Sequence, residues 1–300
     1  GYFPTRPFFT PGNSNGQYLP GLNTHTADSF MPDITWEKTT TYNLGIDFDF
    51  FKGSIVTGSI DVYKRITNDL LAVVPSPPGQ GTGGTEFIKN IGSIDGKGME
   101  LNLNVKAIRS DRFNLAIGGN IAYTYSTVSN LQGISYVQDK GSGLNQTGVF
   151  LANSAVGYQP YSALVFQQLY DQNGQPIVGG FADLNGDGKI TLDDRYYKAL
   201  RPNWTYGFNT SINYKNWDLS ASFRGQIGGQ VYNFKKLVSG NVHNTASTDG
   251  TSLSNALNFY DGSANPIFDN FNGNATYSDY FMEDATFLRC DNVSLGYKLP

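Results

Sequence analysis

Long apolar runs, clustered charge, cysteine pairs and catalytic groupings are all missing from this 300-residue sequence. No stretch of about 18 consecutive apolar residues occurs, which excludes a membrane-spanning helix. It leaves a membrane β-barrel open, because barrel strands alternate and give only a weak hydropathy signal. Cysteine occurs once, at Cys290, so an intrachain disulfide is impossible, and a lone cysteine reads as a small side chain for burial. Charged residues make up only 15%, the formal net charge is −4, and the basic residues are scattered. That pattern lacks the footprint of a nucleic-acid binder, so no nucleic-acid partner is expected. His25 and His243 lie in polar stretches and read as solvated, and no Ser/His/Asp or Cys/His arrangement stands out. Asp193-Asp194 belongs to the cation-type loop described below, and Glu283-Asp284 has no apolar pocket in view, so neither reads as a glycosidase pair. The chain is expected not to be an enzyme. It does not open with a signal peptide and begins in a loop-like stretch, the expectation for a piece of a longer protein.

Glycine, by contrast, numbers 35, phenylalanine 20 and tyrosine 19, a composition that suits a β-rich chain with half-apolar surfaces. Residues 1–35 carry Pro4, Pro7, Pro11, Pro20 and Pro32 among Gly, Asn and Thr, and are expected to form an irregular loop. From Tyr42 the pattern has period two, with Tyr42, Leu44, Ile46, Phe48 and Phe50 opposed to Asn43, Gly45, Asp47 and Asp49. A turn at Phe51-Lys-Gly53 leads back through Val56, Gly58, Ile60 and Val62, and about thirty loop residues are expected to follow, with Pro75, Pro77, Pro78 and several glycines. The unit repeats at Met99–Tyr125, turning at Arg109–Arg112, and at Tyr206–Arg224, turning at Lys215-Asn216. A seventh strand is expected near Phe287–Leu299. Long loops are expected at 127–203, with a hairpin around Asp171-Gln-Asn-Gly174, and at 228–283.

Two architectures produce such alternation. In a soluble antiparallel sandwich the apolar face is the core; in an outer-membrane barrel it meets lipid while the polar face lines a lumen. Strands of about 10 to 14 residues, tilted about 40°, rise about 25 Å, the height of the lipid-facing band. Sandwich strands are usually about half as long. Connections alternate between about four residues and about thirty or more, as for a barrel with one short rim and one elaborated rim. Aromatic residues also gather near strand ends, as Trp36, Tyr42, Phe50, Tyr123, Tyr125, Trp204, Tyr206, Tyr214 and Trp217. The pattern therefore favours an all-β fold, an antiparallel transmembrane β-barrel of which residues 36–300 form about seven strands. A calcium-stabilised extracellular adhesion or glycan-binding sandwich module is the alternative.

Inside the 127–203 loop lies Asp183-Leu-Asn-Gly-Asp-Gly-Lys-Ile-Thr-Leu-Asp-Asp194. Oxygen ligands fall at Asp183, Asn185 and Asp187, Gly188 sits at the sharp-turn position, Lys189 supplies a backbone carbonyl, and Asp194 occupies the last ligand position. The order is that of an EF-hand loop except that Asp194 replaces the bidentate Glu, and a structural Ca²⁺ is expected there. The bland reading is an Asn/Asp/Gly turn that binds nothing. Tyr136, Tyr158, Tyr161 and Phe166 either stack on a sugar or pack the loops together.

Several blocks together resemble the SusC/RagA family of TonB-dependent outer-membrane transporters. They are Ile34-Thr-Trp-Glu-Lys-Thr-Thr-Thr-Tyr-Asn-Leu-Gly-Ile-Asp47, Asp61-Val-Tyr-Lys64 with Thr67-Asn-Asp-Leu-Leu71, Asn90-Ile-Gly92 with Gly98-Met-Glu-Leu101, the 183–194 loop with Arg195, Tyr206-Gly207 with Asn213-Tyr-Lys-Asn-Trp217, and Phe287-Leu-Arg289 with Leu295-Gly-Tyr-Lys-Leu-Pro300. The resemblance implies part of a 22-stranded barrel in a Gram-negative outer membrane. It also implies a SusD-like surface lipoprotein as partner, TonB reached through a plug domain absent from this sequence, and import of oligosaccharides or oligopeptides. Asp95-Gly-Lys97 departs from the Asn-rich wording usual before the Gly-x-Glu block.

Overall fold

The structure, a computed structural model, describes residues 9–11, 25–27, 31–76, 86–139, 143–144, 149–239 and 277–299. Its frame is one seven-stranded antiparallel sheet: β1 (Lys38–Phe50), β2 (Val56–Pro75), β3 (Glu86–Arg109), β4 (Phe113–Asn130), β5 (Trp204–Tyr214), β6 (Trp217–Ile227) and β7 (Phe287–Tyr297). Every strand pairs with its neighbour in sequence, so the sheet is an up-and-down meander. Among the described residues no second sheet of comparable strands lies face to face with it, as a sandwich requires.

Register carries the alternation across all seven strands. One row reads Ile46, Ile60, Leu101, Ile121, Tyr206, Gly225 and Leu288; the next reads Asp47, Ser59, Asn102, Asn120, Gly207, Arg224 and Arg289. Because side chains alternate along a strand, the first row and its equivalents form an apolar face and the second a polar one. In a barrel wall these are the lipid face and the lumen face. Aromatic girdles close both edges of the apolar face. Phe113, Tyr214, Trp217 and Tyr297 pair side by side at the edge near the short turns, while Tyr123 meets Trp204 at 4.8 Å near the other. Ten residues separate Phe113 from Tyr123, as they do Tyr214 from Trp204; at about 3.3 Å per residue and a tilt of about 40° the girdles stand about 25 Å apart.

Tight turns join the strands on one side. Phe51, Gly53 and Ser54 take positive φ values of 71°, 85° and 53°, and Lys215 takes 52°. Neighbouring turns are tied together where Lys215 N–H donates to the Arg112 carbonyl at 2.9 Å and Lys298 N–H to that of Asn216 at 2.8 Å. Glycine matters most on the wall at Gly98, where an added Cβ would collide with the Tyr63 ring lying across it.

Three features differ from the sequence reading. The loop expected after Tyr63 is mostly ribbon, since β2 and β3 continue as a paired extension up to Pro75 and Glu86. Register shifts between Thr67 and Leu71, with Asp69 at φ 59°, break the period-two signal there. Within 1–35, Phe9–Pro11 pairs with His25–Ala27, a short ladder in a stretch expected to be irregular. Cys290 is exposed rather than buried, because it stands beside Phe223 on the apolar face of the wall. The Pro77-Pro78 and glycine run and His243 lie outside the described residues.

Candidate functional site

On the side away from the tight turns, the two long connections fold into one unit. Residues Tyr136–Gln138, Ala152–Ala155, Ser162–Phe166 and Arg195–Lys198 form a four-stranded sheet. The expected hairpin is present: Gln168–Tyr170 pairs with Pro176–Phe181, and the Asp171 carboxylate accepts N–H bonds from Asn173 and Gln175 in the turn. Leu151, Ala163, Val165 and Met282 make a small core with Tyr196, Leu200 and Tyr232 against it. Phe166, wholly buried, packs on Phe181 at 5.1 Å with Tyr277 alongside.

Residues Tyr277–Asp284, from the second long connection, lie across the first. Asp279 is the hinge of that contact. Its carboxylate accepts the Gln168 N–H at 2.9 Å and the Tyr196 hydroxyl at 2.6 Å, and stands 3.6 Å from the Lys198 ammonium. Beside it the buried Ser278 hydroxyl donates to the Gln168 side-chain oxygen at 3.0 Å. Burial, and then the bond to Asp279, push the Tyr196 phenol well above the usual tyrosine range. Lys236 lies over the Tyr280 ring, 3.7 Å from its centre, and Arg195 over Tyr277 at 5.0 Å. None of these partnerships was legible in the sequence, since Ser278 and Gln168 are separated by 110 residues.

The loop 183–194 adjoins this unit, its last residue leading directly into Arg195–Lys198. Asp183 accepts N–H bonds from Gly186 and Gly188, each at 2.7 Å, and those glycines hold φ values of 75° and 78°. Asn185 accepts from the Asp187 N–H at 2.9 Å, and Asp187 from that of Lys189 at 2.8 Å. Asp194 is wholly buried and closes the ring by accepting from Thr191, Leu184 and Asn185, with Thr191 completing a capping box. The Thr191 N–H above all, then those of Asn185 and Leu184, hold the Asp194 carboxyl below the ordinary aspartate range. Among the described residues no three His, Cys, Asp or Glu side chains gather at metal-binding separation. Side-chain oxygens of Asp183, Asn185 and Asp187 each accept loop N–H groups and keep further lone pairs, with Asp194 framing the loop.

Of the four aromatic residues singled out above, Phe166 is core. Tyr136, Tyr158 and Tyr161 are nearly half exposed, Tyr158 resting 4.2 Å from the Tyr197 ring and Tyr161 beneath the Arg201 guanidinium at 4.7 Å. On the lumen face a bulge in β7 sets Asp291 between Arg224, at 3.0 Å, and Arg289, at 3.6 Å.

Comparison with known proteins agrees with this architecture. The family model described as "TonB dependent receptor-like, beta-barrel" matches residues 2–234. The chain is 38% identical over 97% of its length to the TonB-dependent receptor SusC of Bacteroides thetaiotaomicron, covering 29% of that protein. It is 27% identical over 90% of its length to the TonB-dependent receptor P26 of Formosa agariphila, covering 28% of it. The chain thus spans less than a third of these relatives. Solved structures of the RagAB peptide transporter, and of the same importer in its open-open state, superpose on the whole chain with TM-scores of 0.70 and 0.71 at 21% and 22% identity; they share its fold. The single meander with girdles about 25 Å apart and the family match over most of the chain lead to one assignment: this chain belongs to the TonB-dependent receptor family of outer-membrane β-barrels.

Proposed function

We propose that the protein containing this chain is an energised importer that carries oligosaccharides or oligopeptides across the outer membrane together with a SusD-like surface lipoprotein. The observation that carries this reading is the 38% identity to SusC along 97% of the chain, external loops included. The half-exposed rings of Tyr136, Tyr158 and Tyr161 on the external unit supply faces on which a sugar ring or a peptide side chain stacks. Energy enters through TonB acting on a plug domain outside this sequence. Growth of a deletion strain on a panel of glycans and peptides tests the reading: growth is expected to fail on one substrate class and return on complementation. Unimpaired growth on every substrate would defeat it.

The same reading gives the 183–194 loop a structural Ca²⁺, held by Asp183, Asn185, Asp187 and the Lys189 carbonyl, with Asp194 closing the loop. Outside the cell, calcium near millimolar fills a site whose dissociation constant is about 10⁻⁴ to 10⁻³ M. Bound there, the cation neutralises the acids and orders the segment leading into Arg195–Lys198. Chelation is expected to raise protease sensitivity in this loop, and Asp187→Ala to reproduce that effect without chelator while barrel insertion is unchanged. Identical cleavage with and without chelator would leave the bare turn.

A further inference from the structure

Outward-facing rows on the wall are apolar as far as Leu44, Val62, Met99, Tyr123 and Trp204, the row of the girdle beyond which the long connections lie. The next row reads Tyr42, Lys64, Lys97 and Tyr125. Lys64 and Lys97 are direct cross-strand partners, and both are exposed. Like charges directly opposed on neighbouring strands repel one another. Among the described residues neither lysine makes an ion pair. Asp95, two residues from Lys97 and one row further out, pairs with neither, and Asp69 is engaged by Lys38 at 3.2 Å. Arg65 is on the opposite face, over the Tyr63 ring at 5.8 Å.

Two residues along β3 separate Lys97 from Met99, so the lysine row stands about 5 Å beyond the girdle. Lysine stems extend the charge further toward the polar zone. That is the depth at which the headgroups of a bilayer carry phosphate. We propose that Lys64 and Lys97, flanked in register by Tyr42 and Tyr125, form a binding site for the phosphate of an anionic lipid in the outer leaflet. One phosphate between the two ammonium groups turns their mutual repulsion into attraction to a shared anion, while the flanking tyrosines supply hydroxyl donors and amphipathic rings suited to the interface. Such a site lies outside the transport path, on the face that meets lipid, so it would hold a boundary lipid against the wall.

The test uses the full-length receptor in mild detergent, titrated with lipid A and with enzymatically dephosphorylated lipid A and followed by native mass spectrometry. Wild type is expected to prefer the phosphorylated form, and Lys64→Gln/Lys97→Gln to bind it about 30-fold more weakly. The Lys64→Arg/Lys97→Arg variant retains binding, and excess inorganic phosphate does not displace the lipid. Equal affinity of wild type and the Gln variant for phosphorylated lipid A would overturn the proposal, as would displacement by inorganic phosphate, which assigns the site to a free anion. If the Gln variant does not fold, as judged by heat-modifiable gel mobility, the phosphorylated and dephosphorylated arms on wild type decide alone: equal binding overturns the proposal and preference for the phosphate supports it.

Discussion

The wall and the unit formed by the two long connections are both built on antiparallel β-strands but solve burial in opposite ways. Along β1 no residue is buried, whereas all five residues of Ser162–Phe166 are. The wall turns its apolar rows toward lipid, and its backbone is satisfied strand to strand, which is what a membrane segment requires. The loop unit instead excludes water from a core of its own, with Val165, Phe166 and Phe281 fully buried. One chain thus carries two stability ledgers, one dependent on the bilayer and one on water, and each can be disturbed without the other.

The largest separation of the two is expected from Phe166→Ala. Removing a buried phenyl costs about 3 to 5 kcal/mol, so the loop unit should become protease-sensitive while the barrel keeps its heat-modifiable mobility. The converse change is Leu103→Arg, near the middle of the apolar face. An arginine there costs about 2 to 4 kcal/mol of barrel stability. Asn104→Lys, on the lumen face one residue away, should cost less than about 1 kcal/mol in the same urea titration. Asp279→Ala comes next. It leaves the Gln168 N–H, the Tyr196 hydroxyl and the Lys198 ammonium without their shared acceptor, at about 1 to 3 kcal/mol; hydrogen exchange should quicken in Gln168–Tyr170 and Tyr277–Asp284 together and stay unchanged in β1 to β4.

The smallest effect concerns pH. Folding lowers the Asp194 carboxyl below its unfolded value, so its contribution is fully present above the unfolded value and is lost as pH falls through the folded one. Protease resistance at 183–194 should hold at neutral pH and down to the ordinary aspartate range, then fade below it. With chelator present, so that no cation on Asp183 and Asp187 contributes, Asp194→Asn should lack that acid-side transition, and the wall should show none in either protein.

The wall was legible because strands that meet lipid on one face and a polar lumen on the other must alternate. Asp47 to Asp61 and Met99 to Tyr125 announce both the strands and their faces. Legibility failed where the chain leaves that regime. Thr67–Leu71 slips register twice, so a strand of 20 residues read as a short one followed by loop. Asp183, Asn185, Asp187 and Asp194 could be located as a loop because their spacing is local, and the hairpin at Asp171–Gly174 for the same reason. Asp279 could not, since its value comes from Tyr196 and Gln168, 83 and 111 residues away.

By itself, then, the sequence determined the alternation, the turn positions, most of the girdle residues and the oxygen-rich loop, all of which arise from neighbours within a few positions. Only the tertiary structure decided which residues stand opposite one another across strands. It paired Lys64 with Lys97, set Asp291 between two arginines, exposed Cys290 and locked Tyr277–Asp284 onto the first long connection. Register and long-range docking depend on summed packing and hydrogen bonding over many residues, so no single stretch of the chain encodes them.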